Sequence, residues 1–320
     1  MKSGWLNCFA ILASVFFWAL PAPAAEKEIY SWGLSNPGLV DGRIIARKWA
    51  DLEPQKGKFN WQDFDNALGE VKAAGKKVIF WVSFLPTATK GRAPVKAVPS
   101  WLNAKTYTVT KKGVSVNFII PWDEVFLAEW KRFAQALAFR YDGNPSVRCI
   151  RLVETGLTGV TRYGETFKEL QRQGYTLEKH QEAMRAILGA FEDAFKVTPI
   201  CQNLNFPLGD PEFKEPGYLE NRPEEVEWLD SFCNYAVSKY QTILFFDGLV
   251  ERPVPKDFFL QKIFRKYQDK TIVGAAIPQK AKDIKGTVDW ALEMADFKIL
   301  VADASNPESA RELRRWKESE

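Results

Sequence analysis

The stretch Val147-Arg148-Cys149-Ile150-Arg151-Leu152-Val153 is followed at once by Glu154 and then by Thr155-Gly156-Leu157-Thr158-Gly159, and the fold turns on it. A short run rich in β-branched and aliphatic residues, closed by loop-forming ones, predicts a strand. Before it Asp123 to Tyr141, and after it Leu177 to Lys196, carry helical period. A strand set between two such segments is the unit of a parallel sheet with crossover helices. Working outward, the alternation recurs. Strand-like runs lie at Glu28 to Leu34, Arg43 to Trp49, Lys77 to Phe84, Val147 to Val153, Pro199 to Asn205, Gln241 to Phe246, Thr271 to Ile277 and Phe297 to Ala302. Further helical segments lie at Trp61 to Ala74, Pro223 to Ser238, Pro255 to Tyr267, Asp283 to Met294 and Glu308 to Lys317. Eight strands with helices between them and no Gly/Ser-rich linker predict one α/β domain, a (β/α)8 TIM barrel over residues 25–320. Only Ser35 to Gly42 joins the first two strands, too little for a crossover helix, so the first helix is expected to be reduced or missing. The long insertion Leu85 to Pro121 after strand three is expected over the C-terminal mouth, where barrel active sites form.

Composition narrows the function. The 320 residues are 46% hydrophobic and 26% charged, which excludes a disordered or collagenous chain. A net charge of +4 is too weak to argue for nucleic acid or an anionic membrane surface. Twelve Trp, 23 Phe and 9 Tyr suit the apolar faces of sugars, although most are expected in the core. Residues 1–24 read as a signal peptide: Lys2, an apolar stretch from Phe9 to Leu20, then Ala22-Pro23-Ala24. That stretch is shorter than the roughly 20 residues of a membrane span. The mature chain is therefore expected to be secreted or periplasmic, with no stable span after cleavage.

Chemistry has to be sought among carboxylates. The one histidine, His180, falls in a predicted helix and reads as a surface or packing residue. With Cys149, Cys201 and Cys233 scattered, there is no dense ligand set, so no metal is expected. No Walker loop, G-x-G-x-x-G fingerprint, G-x-S-x-G elbow or C-x-x-C pair occurs, so no cofactor is expected either. Cys149 and Cys201 either pair across neighbouring strands or stay as isolated buried thiols. Barrel catalytic residues come from strand C-termini. Glu154 ends the fourth run, Asp247 ends the sixth with Glu251 beyond it, and Asp303 ends the eighth. The structural alternatives are an ion pair of Glu154 with Arg47, Arg151 or Arg162, and turn or helix capping by Asp247 and Asp303.

A family resemblance rests on Val40-Asp41-Gly42-Arg43-Ile44-Ile45-Ala46-Arg47-Lys48-Trp49-Ala50-Asp51-Leu52-Glu53-Pro54, Gly57-Lys58-Phe59-Asn60-Trp61, Asp65 and Gly75-Lys76-Lys77-Val78. It continues through Val98-Pro99-Ser100-Trp101-Leu102, Pro121-Trp122-Asp123 and Ala138-Phe139-Arg140-Tyr141-Asp142-Gly143-Asn144-Pro145, to about Gly159. These residues resemble the N-terminal barrel of β-galactosidase-like glycoside hydrolases, family 42 and its relatives. The resemblance implies hydrolysis with retention, by an acid/base Glu after strand four and a nucleophilic Glu after strand seven. Glu154 fits the first role, but Val153 stands where the family places Asn. Strand seven is followed by Pro278-Gln279-Lys280, and the amide of Gln279 is no nucleophile. Three explanations stand open: Asp247 or Glu251 supplies the second carboxylate, hydrolysis has been lost and saccharide binding kept, or strand seven lies elsewhere.

The expectation is an exported glycoside hydrolase acting on an oligo- or polysaccharide without cofactor or metal. The alternative is a catalytically lapsed, saccharide-binding barrel accessory to polysaccharide processing. Arg47 is expected to orient a carboxylate or sugar hydroxyl. Trp49, Trp81, Trp101 and Trp122 are candidate stacking platforms, and Asn203, Asn205, Gln279 and Asp303 candidate hydroxyl partners.

Overall fold

The computed structural model describes residues 25–86, 95–111, 113–161, 164–209, 222–249, 259–279 and 281–319. Its strands in chain order are β1 (Glu28–Ser31), β2 (Gly42–Lys48), β3 (Lys77–Ser83), β4 (Thr106–Lys111), β5 (Val114–Ile119), β6 (Val147–Glu154), β7 (Leu157–Thr161), β8 (Ile200–Asn203), β9 (Leu208–Gly209), β10 (Ile243–Phe246), β11 (Val273–Ala276) and β12 (Ile299–Val301). Eight of them close into a parallel barrel in the order β1-β12-β11-β10-β8-β6-β3-β2. Each coincides with one of the eight runs read from the sequence. Alternation along a strand puts one side-chain set inside the barrel and the other under the helices. Tyr30, Ile44, Ile79, Cys149, Cys201, Ile243, Phe245, Ile299 and Val301 form the inner cluster. Ile45, Phe80, Ile150 and Leu244 belong to the larger outer one.

The helices Gln62–Ala73, Glu124–Tyr141, Leu177–Ala194, Pro223–Tyr240, Phe259–Tyr267, Ile284–Met294 and Pro307–Glu318 wrap the sheet. Asp123, Thr176, Asp283 and Asn306 cap their first turns by accepting backbone N–H bonds. No helix joins β1 to β2, as the short crossover predicts; Asn36, at a φ of 59°, turns the chain instead. Among the described residues no helix is long and apolar enough to cross a membrane. The three described thiols, Cys149, Cys201 and Cys233, are buried and free.

The insertion after β3 folds into the antiparallel hairpin β4–β5. Its apolar face, Tyr107, Val116 and Phe118, packs on Leu157 and Val160 of β7, Leu208 of β9, and Leu170 and Tyr175 of the helix Glu165–Arg172 and its exit. Since β7 and β9 continue the chain beyond β6 and β8, this second core sits at the C-terminal end of the barrel, where the insertion was expected.

Candidate active site

One irregularity in the barrel ladder aims the key residue. Arg151 lies opposite Cys201 and Glu154 opposite Asn203, so three steps on β6 match two on β8. The extra residue is a β-bulge, which redirects the side chain that follows it. Leu152 and Val153 both enter the outer core, and Glu154 regains the inward orientation that strict alternation from Arg151 would deny it. The loops after β6 and β8 are stitched together around this carboxylate. Thr155 Oγ1 donates to the Asn205 carbonyl at 2.5 Å and accepts the Asn205 N–H at 2.8 Å. The Phe206 N–H holds Asn205 Oδ1 at 2.9 Å, which turns Asn205 Nδ2 onto Glu154 Oε2, also at 2.9 Å. Gly156 is required here: a Cβ on it would stand 2.1 Å from the Phe206 carbonyl oxygen.

Two further groups bear on this end. Tyr107 of the hairpin faces the Glu154 charge, and burial together with that charge raises its phenol above the usual range. His180 is fully buried among Trp122, Tyr175 and Trp228, below the Thr155 backbone. Burial pulls its pKa down to about 3, against a smaller opposing effect of that backbone, so it is neutral. It is a packing residue, as its helical position suggested, but a buried one.

Below Glu154 the barrel is closed by an unusual layer. The Arg151 guanidinium is 0% exposed, with its central carbon 4.3 Å from the Trp81 ring centroid and 4.2 Å from that of Phe245. Its Nη2 lies 2.9 Å from Asp247 Oδ2, an ion-pair contact without hydrogen-bond alignment. Among the described residues Nε and Nη1 have no acceptor, nor do the indole N–H groups of Trp32 and Trp81, whose rings meet at 6.2 Å. Lys48, last in β2 and in phase with inward Ile44, donates to the Leu85 carbonyl at 2.6 Å, and burial lowers its pKa.

Several expected site residues lie elsewhere. Arg47 alternates outward, where its Nε donates to Asp63 at 2.5 Å on the flanking helix, so it does not face the mouth. Trp49 is fully buried under the helices, bonded to Glu53 and packed on Trp130 at 5.3 Å. Trp101 donates to the Glu53 carbonyl at 3.1 Å, edge-on to Trp49. Trp122 stays near the mouth, but in the second core, where it packs on Tyr175 at 5.5 Å. Only Trp81 of the four candidate platforms lies in the barrel's inner layer. Asp303 accepts the Ser305 N–H at 2.9 Å and so caps a turn. Asn203 is buried at the end of β8, its Oδ1 without a partner among the described residues, and Gln279 is exposed beyond β11. Glu251 lies outside the described residues. Of the three ion-pair partners expected as alternatives for Glu154, Arg47 bonds Asp63, Arg151 meets Asp247, and Arg162 lies outside the described residues; Trp32 belongs to no motif, and Lys48 stands in the family-like stretch with nothing in the sequence to mark it as inward.

Strand seven is where the sequence put it. β11 pairs with both β10 and β12, and Ile277, Pro278 and Gln279 follow. The absence of a carboxylate there is thus a property of the chain, and a displaced strand is no longer an explanation. Among the described residues no group of three or more His, Cys, Asp or Glu is placed to hold a metal ion.

Comparison with known proteins agrees with this architecture. Residues 37–192 match the model of the β-galactosidase family, glycoside hydrolase family 42. The match takes in β2 through β6 with Glu154 and stops before β8, so over that span the resemblance drawn from the motifs holds. No curated protein matches the chain. Among solved structures, a psychrophilic glycoside hydrolase family 10 endo-β-1,4-xylanase superposes with a TM-score of 0.52 at 12% identity, covering 92% of this chain and 98% of its own. That likeness is one of fold.

Proposed function

We propose that the chain is an exported glycoside hydrolase that cleaves O-glycosidic bonds of an oligo- or polysaccharide, with Glu154 as general acid/base. The observation that carries this reading is the bulge in β6, which turns Glu154 into the mouth and onto the Asn205 amide. In the reaction, the Glu154 carboxylic acid gives its proton to the leaving glycosidic oxygen while the C–O bond breaks. The family match across this strand, the hairpin core beside it and the aromatic Trp32–Trp81 layer below it are in keeping with a saccharide site.

The test uses the protein recovered from the exported fraction, whose mass should show loss of residues 1–24. It is assayed on a panel of aryl glycosides and oligosaccharides. Glu154→Gln should lower turnover of unactivated substrates by roughly 10²- to 10⁴-fold with little change in affinity, and should slow activated aryl glycosides least. Wild-type rates for the variant on an unactivated oligosaccharide would remove Glu154 from the mechanism.

A second reading, saccharide binding without hydrolysis, draws on strand seven ending in Ile277-Pro278-Gln279. Its signature would be calorimetric saccharide binding by a wild-type protein that turns over none of the panel.

A further inference from the structure

A hydrolase with Glu154 as acid still needs a group to attack the anomeric carbon or to activate the water that does. Asp247 is the described residue whose surroundings fit that need. It directly follows β10 and is in phase with Phe245, a member of the inner cluster, so it faces the mouth. The pairing places it relative to Glu154. Glu154 lies opposite Asn203, Asn203 lies opposite Phe245, and Asp247 is two residues further on. The two carboxylates therefore flank the end of β8, two strand spacings of about 4.8 Å apart at the backbone, with side chains converging inward.

The ion pair beneath Asp247 is lopsided. Its side chain is 33% exposed, whereas that of Arg151 is 0% exposed. Burying a guanidinium is costly unless its donors are met, and here, among the described residues, two nitrogens have no acceptor while the third reaches only Asp247. An ion pair kept for stability would satisfy the guanidinium. This one instead fixes a single carboxylate from below: the Trp81 and Phe245 rings clamp the guanidinium plane, and Nη2 holds Oδ2.

We infer that Asp247 is the second carboxylate of the reaction and that Arg151 is the residue that positions it, in place of the carboxylate that strand seven lacks. This rests on the hydrolase reading above. In the first step the Glu154 proton passes to the glycosidic oxygen, which leaves with the electron pair of the broken C–O bond. The new bond to the anomeric carbon is made by Asp247 Oδ1 itself, or by a water whose proton passes to Asp247. In the direct case a water, deprotonated by Glu154, then attacks the anomeric carbon, the bond to Asp247 breaks with its electron pair, and both groups are restored; in the water route Asp247 releases its proton to solvent and Glu154 takes one up. The anomeric configuration of the first product tells the two routes apart.

The experiment compares wild type, Glu154→Gln, Asp247→Asn and Asp247→Gly on one unactivated oligosaccharide and one aryl glycoside that the wild type hydrolyses, the former reading Glu154, with melting curves to show that each variant is folded. Asp247→Asn should lower kcat by at least about 10²-fold. Sodium azide should restore turnover of Asp247→Gly and yield a glycosyl azide, which a structural role could not produce. Arg151→Lys should lower kcat without azide rescue, because its carboxylate is still present. If removing the Arg151 partner unfolds the glycine and asparagine variants, Asp247→Glu keeps the charge but displaces the oxygen, and must still cut kcat. Wild-type kcat in Asp247→Asn or Asp247→Glu alongside an impaired Glu154→Gln overturns the assignment of Asp247 and leaves the hydrolase reading standing. A wild type that hydrolyses no glycoside removes both.

Discussion

Replacing Glu53 should cost the protein stability and leave its chemistry alone, although Glu53 sits in the most family-like stretch of the sequence. Its side chain is 0% exposed and accepts the Trp49 indole N–H at 2.9 Å, the Gly57 N–H at 2.7 Å and an ion-pair bond from Arg132. Its carbonyl also takes the Trp101 indole N–H. One carboxylate thus ties together Trp49, Gly57, Arg132 and, through its backbone, Trp101. In Glu53→Ala the fully buried Trp49 N–H is left unsatisfied, at about 1–3 kcal/mol, and the Gly57 bond to a charged acceptor costs about as much. The Arg132 share is discounted, because that side chain is 32% exposed and keeps its 2.7 Å bond to Glu129. A total of about 3–5 kcal/mol follows, and at about 2 °C per kcal/mol for a chain of this size Tm should fall by about 6–10 °C. Glu53→Gln keeps one acceptor but turns an N–H₂ toward donors, and should lose about half as much. Thermal melts followed by tryptophan fluorescence measure both. A Glu53→Gln protein melting within about 1 °C of wild type would refute this account of the motif. A folded variant that has lost turnover would move Glu53 into the chemistry.

Two further outcomes are expected. Glu192 is half-buried beside Asp193 and takes a bond from Thr242 Oγ1, and its partial desolvation is the main cause that pushes its pKa up from 4.5 to about 7. The folded chain therefore keeps this proton where the unfolded chain has released it, so stability falls as pH rises from about 4.5 to 7, by at most about 3 kcal/mol. Glu192→Gln should gain stability relative to wild type at pH 8 but not at pH 4, and urea midpoints that shift equally at both pH values would contradict this. Gly156→Ala drives a Cβ to 2.1 Å from the Phe206 carbonyl and 3.3 Å from Asn205 Cβ, so the loops holding Glu154 must part. Turnover should drop by up to about 10²-fold while the protein remains folded, and unchanged kinetics would show that Asn205 does not position Glu154.

The barrel was legible because each of its strands is an apolar run bounded by polar or turn residues, a signal that depends on burial alone. The missing first helix was legible as chain length. At the site, Glu154 could be found from its place after strand four, but its orientation could not. The bulge arises from how β6 pairs with β8, and without it alternation from Arg151 would point Val153 inward and Glu154 away. Arg47 could not be read as outward, because Ile44 and Ile45 are both apolar and only packing shows that Ile45, in phase with Arg47, faces the helices. The tryptophans could not be sorted. Trp49, Trp101 and Trp81 are chemically alike in sequence, and only packing puts the first two around Glu53 and the third against Arg151.

The residues that carry the family resemblance are for the most part scaffold. Glu53 gathers Trp49, Gly57 and Trp101, Asp123 caps the helix Glu124–Tyr141, and Asp65 binds Arg140 and Tyr141. A match built on such residues is informative about the barrel and about where Glu154 sits, and it ends before the strands that supply the rest of the mouth. A closed barrel brings all eight strand ends to one mouth, with neighbouring ends only about 4.8 Å apart. A carboxylate lost from β11 can therefore be replaced from β10 with a small displacement, provided the new one is held in place. The buried guanidinium under Asp247 is such a hold, made on the same strand as Glu154 and one pleat below the bulge. Arg151 and Glu154 are thereby coupled. Deleting Val153, the extra residue of the bulge, would leave two steps from Arg151 to Glu154 against the two from Cys201 to Asn203, so regular alternation would still turn Glu154 inward beside Asp247; a folded Val153 deletion should therefore retain turnover, and its loss would refute this reading of the register.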